Sequence, residues 1–226
     1  MNRFTSVRIL LVLALAAASF PALAATPEEA QKEVTSAGKT LDSFVADPEM
    51  TWFRNHAKDS RGLVICSQVT KAGFVLGGSG GRCVLVAKGD KGWNGPAFYS
   101  IGTASIGFQA GVSVAEIVML VQTQKALDSL MSSAFKLGGD ASIATGPVGV
   151  GAGADVTADF VAYSRAKGLY GGLNVSGSGI KPSEDYNRAY YGKDVSPIDI
   201  IAKGAVHNRG AEAALLSKVA KLYGGK

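Results

Sequence analysis

The sequence is short of the residues from which most catalytic and metal sites are built. It holds two histidines, His56 and His207, and two cysteines, Cys66 and Cys83. Neither an H-x-x-x-H nor a C-x-x-C pairing occurs, which leaves a zinc site without its usual ligand spacing. No lysine followed by serine or threonine closes a glycine-rich run, so a Walker A phosphate loop is excluded. Beyond the N-terminus there is no run of about 18 apolar residues, and the rest of the chain is not expected to cross a membrane as a helix. No cofactor and no metal are expected.

The apolar run that is present comes first. Arg3 and Arg8 precede the unbroken stretch Ile9 to Ala18, and Ala22-Leu23-Ala24 offers a small-x-small cleavage site. This pattern predicts a signal peptide over 1–24, with one domain over 25–226. No cysteine lies at the cleavage site, so a lipid-modified N-terminus is not expected. The formal charge falls from +5 to +3 once Arg3 and Arg8 leave, which gives no argument for nucleic acid. Export would carry both cysteines into an oxidising compartment. A bridge and two buried free thiols both remain open. If three strands follow in meander order, the cysteines stand two strands apart, about 9–10 Å, too far for a disulfide.

Thr26-Pro27-Glu28-Glu29 reads as a helix start with a capping box, after which Ala30, Val34, Ala37, Leu41, Phe44 and Val45 share one face. Asp47-Pro48 stops this helix and opens a short one with Met50, Phe53 and Ala57. From Leu63 to about Ile180, short β-rich runs alternate with glycine clusters, interrupted by the helical stretch "TQKALDSLMSSAF". A last helix aligns Leu215, Val219 and Leu222 and ends at Gly224. Glycine weakens a strand, and its recurrence implies sharp coiling or the close approach of another element. The expected fold is α+β: a strongly curved, barrel-like antiparallel sheet with N-terminal, middle and C-terminal helices packed on it. An outer-membrane barrel conflicts with the helical start and with "KVAKLYGGK" at the end.

Two glycine-rich motifs suggest chemistry and fall short of it. Gly77-Gly78-Ser79-Gly80-Gly81 matches G-x-S-x-G, and a later aspartate and His207 would complete a serine hydrolase order. But "RCVLVAKG" after the serine is strand-like, whereas a nucleophile elbow leads into a helix. "GVGAGA", Gly149 to Ala154, fits a relaxed dinucleotide fingerprint, yet no clear helix follows it. Charge placement says more. Arg54, Lys58, Arg61, Lys71, Arg82, Lys88 and Lys91 face only Asp59 and Asp90 in their stretch, with Trp52, Phe53, Trp93, Phe98 and Tyr99 in or beside it. Bases flanked by aromatics suit an anionic membrane surface. The same composition also fits a solvated face over an ordinary core.

"GLVICSQVTKAGFVLGGSGGRCVLV", "GWNGPAFYSIGTASIGFQAGVSVAEIVMLV", "ALDSLMSSAFKLGGDASIATGPVG" and "AYSRAKGLYGGLNVSGSGI" occur in this order. Together they resemble the SYLF domain, also called the Ysc84 actin-binding domain, over about residues 26–191. The resemblance implies a non-enzymatic lipid-binding module, here a bacterial exported member, periplasmic or secreted and peripheral to membrane. Eukaryotic relatives bind phosphoinositides and some bind actin; in a bacterial envelope the expected partner is an anionic phospholipid surface. Lys71 and Arg82 stand in the family's K-A-G-F and G-G-S-G-G-R blocks and are expected to contact lipid headgroups, with Lys58, Arg61, Lys88 and Lys91 assisting. The first helix sets Lys32 and Lys39 against Glu28, Glu29, Glu33 and Asp42, an acidic polar face ill suited to anionic lipid. The rival readings are an envelope scaffold that binds protein partners and a serine hydrolase using Ser79 and His207.

Overall fold

The computed structural model describes residues 24–73, 76–89, 92–106, 111–132, 134–149, 156–166, 169–170, 175–208 and 210–224. Residues 1–23 of the expected signal peptide, Lys91 and most of the Gly149–Ala154 run lie outside the described residues. The chain opens with helix α1 (Pro27–Ala46), a 3-10 turn (Pro48–Met50) and α2 (Thr51–Ala57). Four long strands follow, β1 (Gly62–Gly73), β2 (Leu76–Gly89), β3 (Gly92–Ile106) and β4 (Gly111–Val121). Then come α3 (Gln124–Met131) and the short strands β5 (Phe135–Lys136), β6 (Ile143–Thr145), β7 (Phe160–Ala166), β8 (Leu169–Tyr170) and β9 (Gly179–Pro182). Helix α4 (Glu184–Tyr191), a π-helical turn (Ile198–Ala202) and α5 (Ala211–Leu222) complete it.

The capping box forms as its residue types require. Glu29 N–H donates to Thr26 Oγ1 at 3.2 Å, and Thr26 N–H donates to Glu29 Oε2 at 3.0 Å. Among the described residues the strands form one sheet in the order β5-β9-β3-β2-β1-β4-β7-β6, with β8 on β7. All pairs are antiparallel except β6 with β7, and the sheet curls into a half-barrel. The stretch β4-β1-β2-β3 has the spatial order of a Greek key. One sheet face carries Leu63, Ile65, Val84, Phe98, Val118 and Tyr163, packed against Val34, Leu41 and Phe44 of α1, Phe53 of α2, Tyr190 of α4 and Val219 of α5. The other carries Val64, Val69, Leu85, Tyr99, Ile117 and Phe160, covered by α3, the 135–141 segment and Ile200 and Ile201. Burying each such aliphatic or aromatic side chain contributes about 1.5–3 kcal/mol.

Three differences from the sequence reading appear, the first of them set by register. "GLVICS" and "QVTKAG" form one strand, because Gln68 and Thr70 point out while Val69 points into the core. A β-bulge at Cys66 and Ser67 keeps that alternation in step across two partners. The cysteines therefore stand on neighbouring strands, their Cα atoms 4.0 Å apart, and form a disulfide that the meander spacing argued against. Second, Phe135 leaves the α3 pattern and starts β5, since the helix ends at Met131. Third, α4 and the π-helical turn were not anticipated. The Asn187 side chain of α4 pairs with the β3 backbone, accepting from Phe98 N–H at 2.9 Å and donating to Phe98 O at 3.4 Å.

The recurrent glycines have a local cause where they are most crowded. A Cβ on Gly81 would lie 2.4 Å from Gln68 O at the bulge, and one on Gly146 would lie 2.1 Å from the Tyr163 ring. Close approach, one of the two expected reasons, applies at both positions. The disulfide closes a loop of 17 residues. Removing it by Cys66→Ala/Cys83→Ala, or by reduction, should destabilise the fold by about 3 kcal/mol. Urea unfolding with and without reductant measures this, and reductant should leave the double variant unchanged.

Candidate functional site

Strand register sorts the expected cations by face and by level along the sheet. Arg82 pairs with Gln68 on β1 and Ser100 on β3 and lies on the face that carries α1. Lys71 pairs with Ser79 and Ser113, three residue pairs further from Gly62, and points to the opposite face. The two residues flank the β1–β2 turn in sequence, but the structure does not bring them together. The bulge, by inserting one residue, fixes which side each one takes.

Arg82 is about one-third exposed, and its guanidinium is engaged by neighbouring residues. Its Nη1 donates to Ser100 Oγ at 3.0 Å and Ser183 Oγ at 2.8 Å, and Nη2 lies 3.9 Å from Asp185 Oδ2. Its guanidinium carbon sits 4.0 Å from the centre of the Tyr186 ring. These contacts tie α4 to the sheet. Three strands away, Arg165 of β7 donates from Nη2 to Glu116 Oε2 at 2.7 Å and lies 3.5 Å from Asp47 Oδ2 and 4.4 Å from the centre of the Phe44 ring. Arg165 also donates to Ser43 Oγ, and Thr40 Oγ1 donates to Glu116 Oε1 at 2.7 Å. Ser100, Arg82, Gln68, Glu116 and Arg165 thus form a polar row across five strands, lying along one edge of α1.

Glu33 of α1 belongs to the same seam. Burial pushes its carboxyl above the ordinary glutamate range, against the opposing pull of Arg82 and Lys32. Its Oε1 is buried with no hydrogen-bond partner among the described residues.

The remaining cations gather at the Gly62 end. Lys58 caps α2 and Arg61 follows three residues later; both are exposed. Lys88 N–H donates to Arg61 O at 3.0 Å, which sets exposed Lys88 beside them. The Lys88 ammonium lies 5.6 Å from the centre of the Trp93 ring and 5.3 Å from that of Tyr223, two rings that meet edge-on. Tyr223 OH also hydrogen-bonds Ser60 Oγ at 2.5 Å, fastening the end of α5 to this corner. Asp59 is the exposed acid among the three bases. The sequence reading placed Trp93 here but missed Tyr223, whose only signal was an aromatic just after the last helical turn.

Ser79 lies within β2, paired with Lys71 and Thr103 in unbroken ladders, rather than on the strand-to-helix turn that a nucleophile elbow requires. His207 Nδ1 is 2.9 Å from Glu212 Oε1. Among the described residues, no group of three or more His, Cys, Asp or Glu residues is placed to hold a metal ion. No helix among them is long and apolar enough to cross a membrane.

The profile of the Ysc84 family, described as Las17-binding protein actin regulator, matches residues 102–222. An SH3 domain-containing protein of Schizosaccharomyces pombe is 34% identical over 184 residues, 75% of this chain and 42% of that protein. LAS seventeen-binding protein 3 of Saccharomyces cerevisiae is 32% identical over 180 residues, 74% of this chain and 39% of that protein. Human SH3 domain-containing YSC84-like protein 1 is 27% identical over 186 residues, 77% of this chain and 54% of that protein. The chain belongs to the Ysc84 family, whose domains are generally non-catalytic binding modules. It spans about two fifths to one half of the length of these relatives.

Two tests address the seam. Arg165→Ala should cost about 2 kcal/mol in urea unfolding, less than the roughly 3–5 kcal/mol of a fully buried pair because the Glu116 side chain is one-third exposed. Glu33→Gln should stabilise the protein at neutral pH. A raised carboxyl favours the protonated state, so the contribution of Glu33 is complete below the usual glutamate range and is lost as pH rises through its folded pKa. The advantage of the glutamine should therefore vanish in acid, as seen in melting temperatures measured across pH.

Proposed function

We propose that this domain is a non-catalytic module that binds anionic phospholipid surfaces by charge, working outside the cytoplasm in a bacterial envelope as a periplasmic or secreted protein. The observation that carries the reading is Lys88 over the Trp93–Tyr223 ring pair at one corner of the sheet, with exposed Arg61 joined to it through the backbone and exposed Lys58 three residues before Arg61. Lysines and arginines near an anionic surface contribute about 1 kcal/mol each, and aromatic rings favour the headgroup layer. Arg82 serves here as an internal tie between α4 and the sheet, and Lys71 as a separate cation on the opposite face. Support for export comes from the N-terminal apolar run and from the disulfide, which belongs to an oxidising compartment. Names among the relatives point to Las17 and actin regulation; for an exported chain the anionic lipid is the partner that the basic corner suits better.

The test is co-sedimentation of residues 25–226 with vesicles across anionic-lipid content and salt. Binding should rise with phosphatidylglycerol and fall as the Debye length shrinks from about 10 Å at 0.1 M salt to about 3 Å at 1 M. Lys58→Ala/Arg61→Ala/Lys88→Ala should weaken low-salt binding by roughly a hundredfold. Equal binding to neutral and anionic vesicles at low salt would overturn the reading. Loss of vesicle binding together with retention on an envelope protein would favour a scaffold.

A further inference from the structure

The polar row is not the end of the sheet. On the same face, β1 to β4 run on for two more levels, past the helices, and these levels carry Thr70, Ala72, Gly80, Gly102, Val112 and Val114, all exposed. Val112 is 72% exposed and Val114 41%. No charged residue stands on this face beyond the row among the described residues. We propose that this uncharged end of the sheet is a second membrane contact, which seats in the interfacial layer of a phospholipid bilayer. The proposal rests on the lipid reading above, but it uses none of the residues of the basic corner. Gly78 lies ten residues along β2 from Lys88, about 33 Å at strand rise.

Two observations select a lipid surface over a protein. Two of the three glycines described at these levels are not forced by packing: a Cβ on Gly80 would have its nearest neighbour at 3.8 Å and one on Gly102 at 3.5 Å, both ordinary contacts, and neither residue has a positive φ, whereas one on Gly78 would press on Thr103 O at 3.1 Å. Glycine with room for a side chain keeps the surface flat for something approaching from outside. Four strands and two levels make a patch of about 19 by 13 Å. Pairing two copies would bury roughly 500 Å², well under the about 1,200 Å² of a stable protein interface. A bilayer needs no matched partner surface. The polar row also sets the depth. Arg82, Glu116 and Arg165 lie one level back, where entry into hydrocarbon is costly. Among the described residues the ladder of β7 on β4 ends at Ala115 and that of β9 on β3 at Gly102, and strand edges without described partners suit a contact kept at the interface.

The experiment separates the two contacts by salt. Residues 25–226 are sedimented with vesicles of equal parts phosphatidylcholine and phosphatidylglycerol in ~1 M salt, where the Debye length is about 3 Å. A residual bound fraction should persist for the wild type and for Lys58→Ala/Arg61→Ala/Lys88→Ala. It should fall at least about tenfold for Val112→Asp/Val114→Asp, which loses apolar contact and gains charge. Both valines are exposed, so the melting temperature of this variant should match the wild type. Ala72→Asp provides a second variant at the same level. Because Cys66 and Cys83 are joined, a Val112→Cys variant carries one reactive thiol; an environment-sensitive fluorophore on it should shift to the blue with these vesicles at high salt. Complete release of the wild type at high salt, or unchanged binding by the aspartate variants, would overturn the second contact and leave the electrostatic reading intact. Failure of the wild type to bind at any salt would remove both.

Discussion

The guanidinium of Arg165 fixes where one helix meets the sheet, and much of the molecule follows from that point. It reaches from β7 to Glu116 on β4, to Asp47 and Ser43 at the end of α1, and lies over Phe44. At the other end of the same helix, Glu33 faces the Arg82 seam that holds α4. Between these anchors α1 crosses the strands and drops Val34, Ala37 and Leu41 into the core. A twenty-residue helix is about 30 Å long, enough to cross the sheet once but not to cover strands of eleven to fifteen residues along their length. Among the described residues the polar row is where coverage stops, so that face has a buried half and an exposed half.

The charged residues around the sheet divide into those that tie elements together and those at its surface. Arg82 stands in a glycine block, and the sequence showed it only as a base beside a turn. Its partners Ser183, Asp185 and Tyr186 come from a helix a hundred residues later, beyond the reach of local pattern. Lys58, Arg61 and Lys88 remain at the surface because the α2–β1 turn and the β2 terminus meet at an edge.

Elements whose physics is local were legible in the residues. The Thr26–Glu29 capping box, the apolar stripe of α1, the stop at Asp47-Pro48 and the C-terminal helix ending at Gly224 all follow from neighbours within four positions. The curved α+β architecture was legible from glycine-punctuated apolar runs. What escaped depended on register. One bulge turned "GLVICSQVTKAG" into a single strand, put Cys66 opposite Cys83 and sent Lys71 and Arg82 to different faces. Helix α4 escaped because "EDYNRAYY" is short and largely polar and spends its Asn187 on the backbone of β3, although Tyr186, Ala189 and Tyr190 share the face that meets the core.

The bridge between Cys66 and Cys83 also constrains the order of events in the life of the chain. Both sulfur-bearing residues are wholly enclosed in the finished protein, within the layer that Tyr99 and Ile117 seal. An oxidising enzyme cannot touch thiols in that position once the sheet has closed. The bond has to be made while β1 and β2 are still accessible, so oxidation must precede the final collapse rather than decorate it.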